Sequence, residues 1–319
     1  MPNRVRVFAP ATVSNLGPGF DILGLALARP GDLVEAETRA APGVEIVAVT
    51  GASVLSTDPA KNVAGVAAAA ALRRLDGRAP GDPVTPSRGV RLWLHKQMPL
   101  ASGLGSSAAS SVAGALAAIA AHGATLSKHD LIACALEGER AAAGAAHADN
   151  VAPGVMGGIV LIRSYQPLDL ISLPVPAALR VVVVHPHCEV VTAEARKLVS
   201  AHRFDIRQVI TNLGNVAALV DALHRGTLDQ LGRSIADALV EPLRAPLVPG
   251  FDAVKQAASD AGARGCSLSG SGPSVFAFAE SETDAARIGA AMRAAFQSAA
   301  HLDSDVYLGP VNTHGARVL

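Results

Sequence analysis

Charged and apolar residues alternate along Arg4–Ala9, and again along Gly89–His95, with the period of two expected of strands buried on one face. Asp32–Thr38 and Val44–Thr50 read as two more strands, with Ala41-Pro42-Gly43 as the turn between them. Longer apolar runs separate these strands. Asn62–Leu75 is an alanine-rich helix ended by Asp76-Gly77, and a second helix spans Ser106–Ala121 and closes at His122-Gly123. Ser127 is placed to cap the next helix, with Asp130 supporting its first turn. Gly157–Arg163 is an apolar strand, and Ala9–Gly24 reads as a strand-to-strand loop.

A domain boundary is expected near Ser164–Pro176, which contains three prolines, giving domains 1–165 and 166–319. Beyond it, Leu179–His185 is a buried strand, and helical segments follow at Thr192–Ser200, Ile206–His224, Leu228–Val240 and Phe251–Ala261. Strands are expected at Cys266–Leu268 and Ser274–Ala279, then a helix over Glu282–Ala299 and a last strand at Val306–Val311. That order is the split βαβ pattern of a ferredoxin-like domain, with extra helices in its first crossover.

Composition narrows the chemistry. The chain has 319 residues, half of them apolar but only 3% aromatic, so its core must be built from Ala, Val, Leu and Ile. Lys plus Arg balances Asp plus Glu at 27 each, which argues against nucleic acid as the main partner. The three cysteines, Cys134, Cys188 and Cys266, are too few and too scattered for a disulfide framework, and a reducing, cytoplasmic compartment is expected. The segment 1–10 has no apolar signal-peptide core, and the most membrane-like window, 101–121, is mostly Ala, Ser and Gly. No membrane association is expected.

Three stretches carry candidate chemistry. The first is "PLASGLGSSAAS", 99–110, where a strand feeds a glycine-rich loop and the loop feeds a helix. Unpaired N–H groups and the positive end of the helix dipole meet there, glycines allow close approach, and Ser106 and Ser107 add hydroxyls. This is a phosphate cradle without the Gly-Lys-Ser/Thr of a Walker A loop. Taken alone, it also fits a plain turn before a buried helix. The second stretch is "SGSGPS", 269–274, between two strands, either a hairpin or a functional loop. The third is "APATVSNLGPGFDILG", 9–24, with the isolated carboxylate Asp21. "HPHC", 185–188, lacks the fourth ligand and spacing of a zinc site, and Cys266 reads as a small buried hydrophobe.

Together and in this order, the three stretches resemble the GHMP kinase superfamily. Within it the chain is most similar to the branch acting on the amino acid L-homoserine. That closer likeness rests on "SNLGPGFDILG" (14–24), "DPAKNVAG" (58–65), "HADNVAP" (147–153), "TAEAR" (192–196) and "EPLRAPLVPG" (241–250). The resemblance implies an α+β, two-domain GHMP kinase-like fold, with an N-terminal ribosomal-protein-S5-like domain and a C-terminal ferredoxin-like one. It implies ATP and Mg²⁺ as cofactors, L-homoserine as substrate, and a homodimer.

Residue by residue, the resemblance gives the ATP phosphates to Pro99, Leu100, Ala101, Ser102, Gly103, Leu104, Gly105, Ser106, Ser107, Ala108 and Ala109, with Asn62 near the adenine. Ser107 and Glu139 resemble the Mg²⁺ ligands, a set suited to an ion that prefers one or two protein oxygens. Arg196 and Arg244 match positions that hold a carboxylate, while Asn15, Asp21, Asn150, Thr192, Ser271 and Gly272 match other substrate positions. Asp149 is either a catalytic base or an ammonium ligand. The arginine pair speaks against a sugar-type member of the superfamily. The intact Ser107, Glu139 and glycine loops speak against a non-catalytic ligand sensor. A mevalonate-type kinase is the nearest remaining alternative.

Overall fold

Two antiparallel strands, β1 (Val5–Ser14) and β2 (Leu23–Arg39), open the fold and leave only residues 15–22 to connect them. The computed structural model describes residues 4–51, 55–143 and 146–319. The chain continues through β3 (Gly43–Gly51), α1 (Val63–Leu75), β4 (Gly89–Lys96), α2 (Ser106–Ala121), α3 (Lys128–Ala143), α4 (Ala148–Met156), β5 (Ile159–Tyr165) and β6 (Leu168–Leu173). The second half comprises β7 (Arg180–Pro186), α5 (Thr192–Ala201), α6 (Ile206–Arg225), α7 (Leu228–Ser234), α8 (Glu241–Arg244), α9 (Phe251–Asp260), β8 (Cys266–Leu268), β9 (Val275–Ala279), α10 (Glu282–Ala300), β10 (Ser304–Pro310) and β11 (Arg317–Val318). The boundaries of α2 and β8 fall where the sequence pattern put them.

Among the described residues, seven strands form one sheet and four another. β2 organises the first. Its start, Leu23–Leu25, pairs with β5, and its end, Leu33–Arg39, pairs with β4. β3 does not return onto β2 across Ala41–Gly43 as a hairpin would. It runs parallel to β4, which occupies the place between them. Parallel pairing needs a long crossover, and residues 52–88 supply it with α1 inside. The second sheet has the order β10-β7-β9-β8, all antiparallel, which is the arrangement of a split βαβ domain.

Other sequence expectations change for local reasons. The helix expected over Leu228–Val240 stops at Ser234. The Asp237 carboxylate accepts the N–H groups of Leu239, Val240 and Glu241 at 2.8–2.9 Å and starts α8 instead. The pattern did not reveal α4, because Pro153 sits inside it. The proline removes the N–H that would bond the Asp149 carbonyl, and the bare Gly24 packs against that carbonyl, where a Cβ would lie 1.8 Å away. β6 pairs with β5, so the chain leaves the first sheet between Leu173 and Arg180, beyond residue 165. β11 returns at the C-terminal end to pair with β1. Among the described residues, no helix is long and apolar enough to cross a membrane.

The scarcity of aromatics is met by close helix packing. α2 is buried on almost every side, in contact with β1 and β2 on one side and with α1 and α3 on the others. The second sheet is covered on both faces. Val181, Val183, Phe276 and Phe278 join the cluster that includes the first sheet, while Val182, Val184, Val275 and Ala277 join a cluster with α9 and α10. Phe276 and Phe278 meet edge to face at 5.3 Å between ring centres. Because these rings belong to the shared core, Phe276→Ala is expected to cost about 3–5 kcal/mol. Urea denaturation followed by circular dichroism should show one earlier transition involving both sheets. A separate early loss of the second sheet alone would contradict a shared core.

Candidate functional site

The cleft forms where residues 15–22, the glycine loop after β4 and the "SGSGPS" loop between β8 and β9 converge. Asn15, Leu16, Asp21 and Ala101 all have positive φ, between 48° and 72°. Side chains with a Cβ rarely adopt that region, so strain is concentrated here. Asn15 offsets part of it. Its amide nitrogen donates to the Gly270 carbonyl at 3.0 Å, and its amide oxygen accepts the Asp21 N–H at 3.2 Å.

Serines from the third stretch clamp the glycine loop. Ser269 Oγ donates to the Gly103 carbonyl at 2.5 Å, and Ser274 Oγ donates to the Ser102 carbonyl at 2.6 Å. His185 of "HPHC" lies behind the clamp, with Nδ1 3.1 Å from Ser274 Oγ, while His187 turns outward to Asp305. The two loops touch so closely at Gly103 that a Cβ there would lie 2.5 Å from the Ser269 carbonyl oxygen. Gly105, at φ 64°, caps α2 with no side chain to satisfy the first-turn N–H groups. Those donors are left for an anion. A Cβ at Gly105 would meet Thr12 Oγ1 at 2.1 Å, so protein contact, as well as any ligand, requires glycine here.

A buried cation lies beneath this helix end. Lys96 closes β4, and its ammonium pairs with the Asp32 carboxylate of β2. It also donates to the Ser106 carbonyl at 3.1 Å and to the hydroxyls of Ser106 and Ser110 at 2.8 Å each. Ser110 Oγ donates in turn to Asp32 at 2.9 Å. Burial lowers the Lys96 pKa, and Asp32 and Glu139 oppose that shift. Neither Lys96 nor Asp32 stood out in the sequence. The available signal was register: Val90, Leu92 and Leu94 are the inward positions of β4, and Lys96 continues that series.

Glu139, from α3, is 2% exposed, and its Oε1 has no hydrogen-bond partner. Burial pushes its pKa up to about 7, against the opposing pull of the Ser107 hydroxyl and Lys96. A buried carboxylate oxygen left unpaired beside a hydroxyl and a row of free N–H groups fits a hard divalent cation carried in with phosphate.

The opposite end of the cleft gathers Asp149 and Asn150 from α4, Thr192 and Arg196 from α5, Arg244 from α8, and Ser271. The Arg196 guanidinium is not free. It makes two 2.9 Å bonds to the two oxygens of Asp21. Arg244 is 3% exposed, donates from Nη1 to the Gly270 carbonyl at 3.0 Å, and leaves Nε unpaired. Both guanidinium groups sit over the Phe20 ring, at 5.6 and 5.0 Å. Thr192 and Ser271 hydroxyls lie 3.2 Å apart, and Asn150 Oδ1 accepts a 2.8 Å bond from Thr12. Burial first, and then the Asp21 charge, raise the Asp149 pKa to about 7. Asp21, His147 and Asp149 bring ligand atoms within 4.8 Å of one another. The Arg196 fork already occupies Asp21, however, which disfavours a metal cation there.

Several residues named from the sequence lie outside the cleft lining. Asn62 caps α1, accepting from Ala64 N at 3.0 Å and donating to the Ser56 carbonyl at 2.8 Å. Leu104, Ala108 and Ala109 are core residues, and neither Pro99 nor Gly272 lines the cleft. Ser14, His147 and Gly270 line it and were not singled out from the sequence.

The GHMP kinases N terminal domain model matches residues 62–158, and the GHMP kinases C terminal model matches 219–298. The chain is 44% identical over 321 residues to a homoserine kinase of Chlorobium phaeobacteroides, covering 99% of each chain. It is 44% identical over 325 residues to a homoserine kinase of Arabidopsis thaliana, covering 99% of this chain and 84% of that one. It is also similar to the crystal structure of a homoserine kinase from Cytophaga hutchinsonii, with TM-score 0.92 and 44% identity over 100% of this chain and 98% of that one.

The Asp149 shift has a consequence for stability. The folded protein keeps that proton up to about pH 7, whereas the unfolded chain releases it near the ordinary value of 3.8. More protons are then bound in the folded state across this window, so the group's contribution to stability falls as pH rises through it and levels off above. Asp149→Asn should therefore gain stability relative to the parent as pH rises from 3.8 to about 7. Melting temperatures of the ligand-free proteins across that window test this. A difference that does not change with pH would contradict it.

Proposed function

The chain belongs to the GHMP kinases and, within them, to the homoserine kinases, and on that premise we infer how its cleft carries out the reaction. The enzyme transfers the γ-phosphoryl group of ATP to the side-chain hydroxyl of L-homoserine, releasing ADP and O-phospho-L-homoserine, a step in threonine biosynthesis.

The observation that carries the assignment of roles is the cleft's division into two chemically different ends. At one end, the glycine loop and the free N–H groups of Ser106 and Ser107 receive the ATP phosphates, with the adenine towards Asn62. Glu139 and Ser107 are the residues that would hold Mg²⁺, and the unpaired Glu139 Oε1 supports that reading. The bound ion would neutralise phosphate charge as it shifts towards the leaving ADP. At the other end, Arg244 receives the substrate carboxylate, because its buried guanidinium bonds no carboxylate, whereas Arg196, whose Nε is likewise unpaired, already holds Asp21. Arg196 keeps Asp21 in its left-handed conformation and adds positive charge beside the same site. Asn15, Asn150, Thr192 and Ser271 position the remaining polar groups.

Asp149 serves as the ammonium ligand. Its carboxylate is buried without the guanidinium partner that Asp21 has, and an ammonium group would supply the missing cation. We place the protein in the cytoplasm on its three free cysteines, and read it as a homodimer like the family it resembles.

Coupled ADP release with L-homoserine, mevalonate and galactose tests the substrate, and turnover is expected only with L-homoserine. Arg244→Met should raise the KM for homoserine about ten- to a hundredfold, the loss of one charge-assisted contact, while the KM for ATP stays unchanged. Parallel shifts in both constants would remove Arg244 from the amino-acid end. Asp149→Asn should act in the same way on homoserine KM. If instead kcat collapses while KM holds, Asp149 is the base.

A further inference from the structure

Arg244 is carried on α8, a single turn of four residues. So short a helix is not stable by its own hydrogen bonds and has to be held from outside. Its backbone is held at the start, where the Asp237 carboxylate accepts the N–H groups of Leu239, Val240 and Glu241. Glu241 and Arg244 are the two buried residues of the turn, three positions apart and therefore on one face. Both oxygens of the buried Glu241 carboxylate are engaged. Oε1 pairs with the Lys255 ammonium of α9, and Oε2 accepts the Ser267 hydroxyl of β8 at 2.5 Å. Ser267 lies three residues before Gly270, whose carbonyl receives Arg244.

We propose that Glu241 is a positioning residue for Arg244: its bonds to Ser267 and Lys255 fix the turn of α8 on the second sheet, and thereby fix where the Arg244 guanidinium meets the substrate carboxylate. The proposal rests on the amino-acid role given to Arg244 above. An apolar residue at 241 would fill the same space but leave a four-residue turn free to rotate about its axis. Two directed bonds to two different elements remove that freedom. The contacts of Glu241 and Arg244 fall on one segment, 267–270, so α8 and the loop bordering the cleft move as one piece. Glu241 and Arg244 also line, with Asn15 and Ser267, one cavity of about 10 Å³, which leaves Arg244 little space to make up for a shift of the turn. Lys255 and Ser267 have a second effect. They occupy the carboxylate nearest in sequence to Arg244, so its guanidinium keeps its charge for a ligand, whereas Asp21 already holds that of Arg196.

The test is a double-mutant cycle on the KM for L-homoserine, measured with the full-length enzyme. Glu241→Ala strands no charge, because the Lys255 side chain is 37% exposed and can turn to water. It should raise the homoserine KM roughly three- to tenfold, less than the loss of Arg244 itself, while the KM for ATP and kcat at saturating homoserine stay within about twofold. In an Arg244→Met background the same substitution should change the homoserine KM no further, because the group it places is gone. Equal factors in the two backgrounds would show a general structural effect and overturn the proposal. So would an unchanged homoserine KM in folded Glu241→Ala when Arg244→Met alone raises it. If Arg244→Met leaves the homoserine KM unchanged, the role given to Arg244 fails and the proposal fails with it. Should Glu241→Ala not fold, Ser267→Ala, which keeps the ion pair, carries the same cycle. Its expected rise is about twofold in the parent and none beside Arg244→Met, and equal factors again overturn the proposal.

Discussion

The placement of the proposed phosphate end depends on one buried ion pair. Lys96 and Asp32 belong to neighbouring strands, β4 and β2, and Lys96 also bonds the carbonyl and hydroxyl of Ser106 at the first residue of α2. The pair therefore ties the sheet to the mouth of the helix and fixes where the free N–H groups point. A cation beneath a helix N-terminus opposes the helix dipole, and burial further penalises its charge. Asp32, Ser106 and Ser110 compensate by surrounding the ammonium with acceptors. Removing one partner of such a pair typically costs 3–5 kcal/mol, because the other charge is then stranded. The arrangement places a fixed positive charge behind the end of the cleft proposed to receive phosphate.

The other loops close around that fixed point. Ser269 and Ser274 hold the carbonyls of Gly103 and Ser102, His185 supports Ser274, and Gly270 receives both Asn15 and Arg244. The β8–β9 loop thus reaches the proposed nucleotide end through Ser269 and Ser274, and the proposed amino-acid end through Gly270, which holds Arg244 of α8. The left-handed residues Asn15, Leu16, Asp21 and Ala101 persist because these contacts over-determine them. The two ends of the cleft share loops while differing in charge: N–H donors, a buried cation and Glu139 on one side, and two guanidinium groups with the paired Asp21 and the unpaired Asp149 on the other.

Much of this was legible in the chain because glycine, proline and serine mark backbone geometry directly. The glycine loop, α2 and the second sheet follow from such marks. The parallel placement of β3 was not legible, since pairing partners lie far apart in sequence and Ala41-Pro42-Gly43 fits a hairpin equally well. α4 was hidden by Pro153, whose cost is absorbed by packing against Gly24. Among site residues, the family resemblance found Arg196 but not its bidentate engagement with Asp21, which only the folded chain reveals. Lys96 was missed because a lysine ending an alternating strand usually reaches solvent.

The central claim is that the Lys96–Asp32 pair orients the phosphate end and leaves the amino-acid end alone. Replacing both partners together, as Lys96→Met with Asp32→Leu, removes the pair without stranding a charge, and such exchanges often preserve folding. Calorimetric titration of this variant with ATP and, separately, with L-homoserine is the direct measurement. ATP affinity is expected to fall at least tenfold while homoserine affinity stays near that of the parent. Unchanged ATP affinity in a folded variant would contradict it.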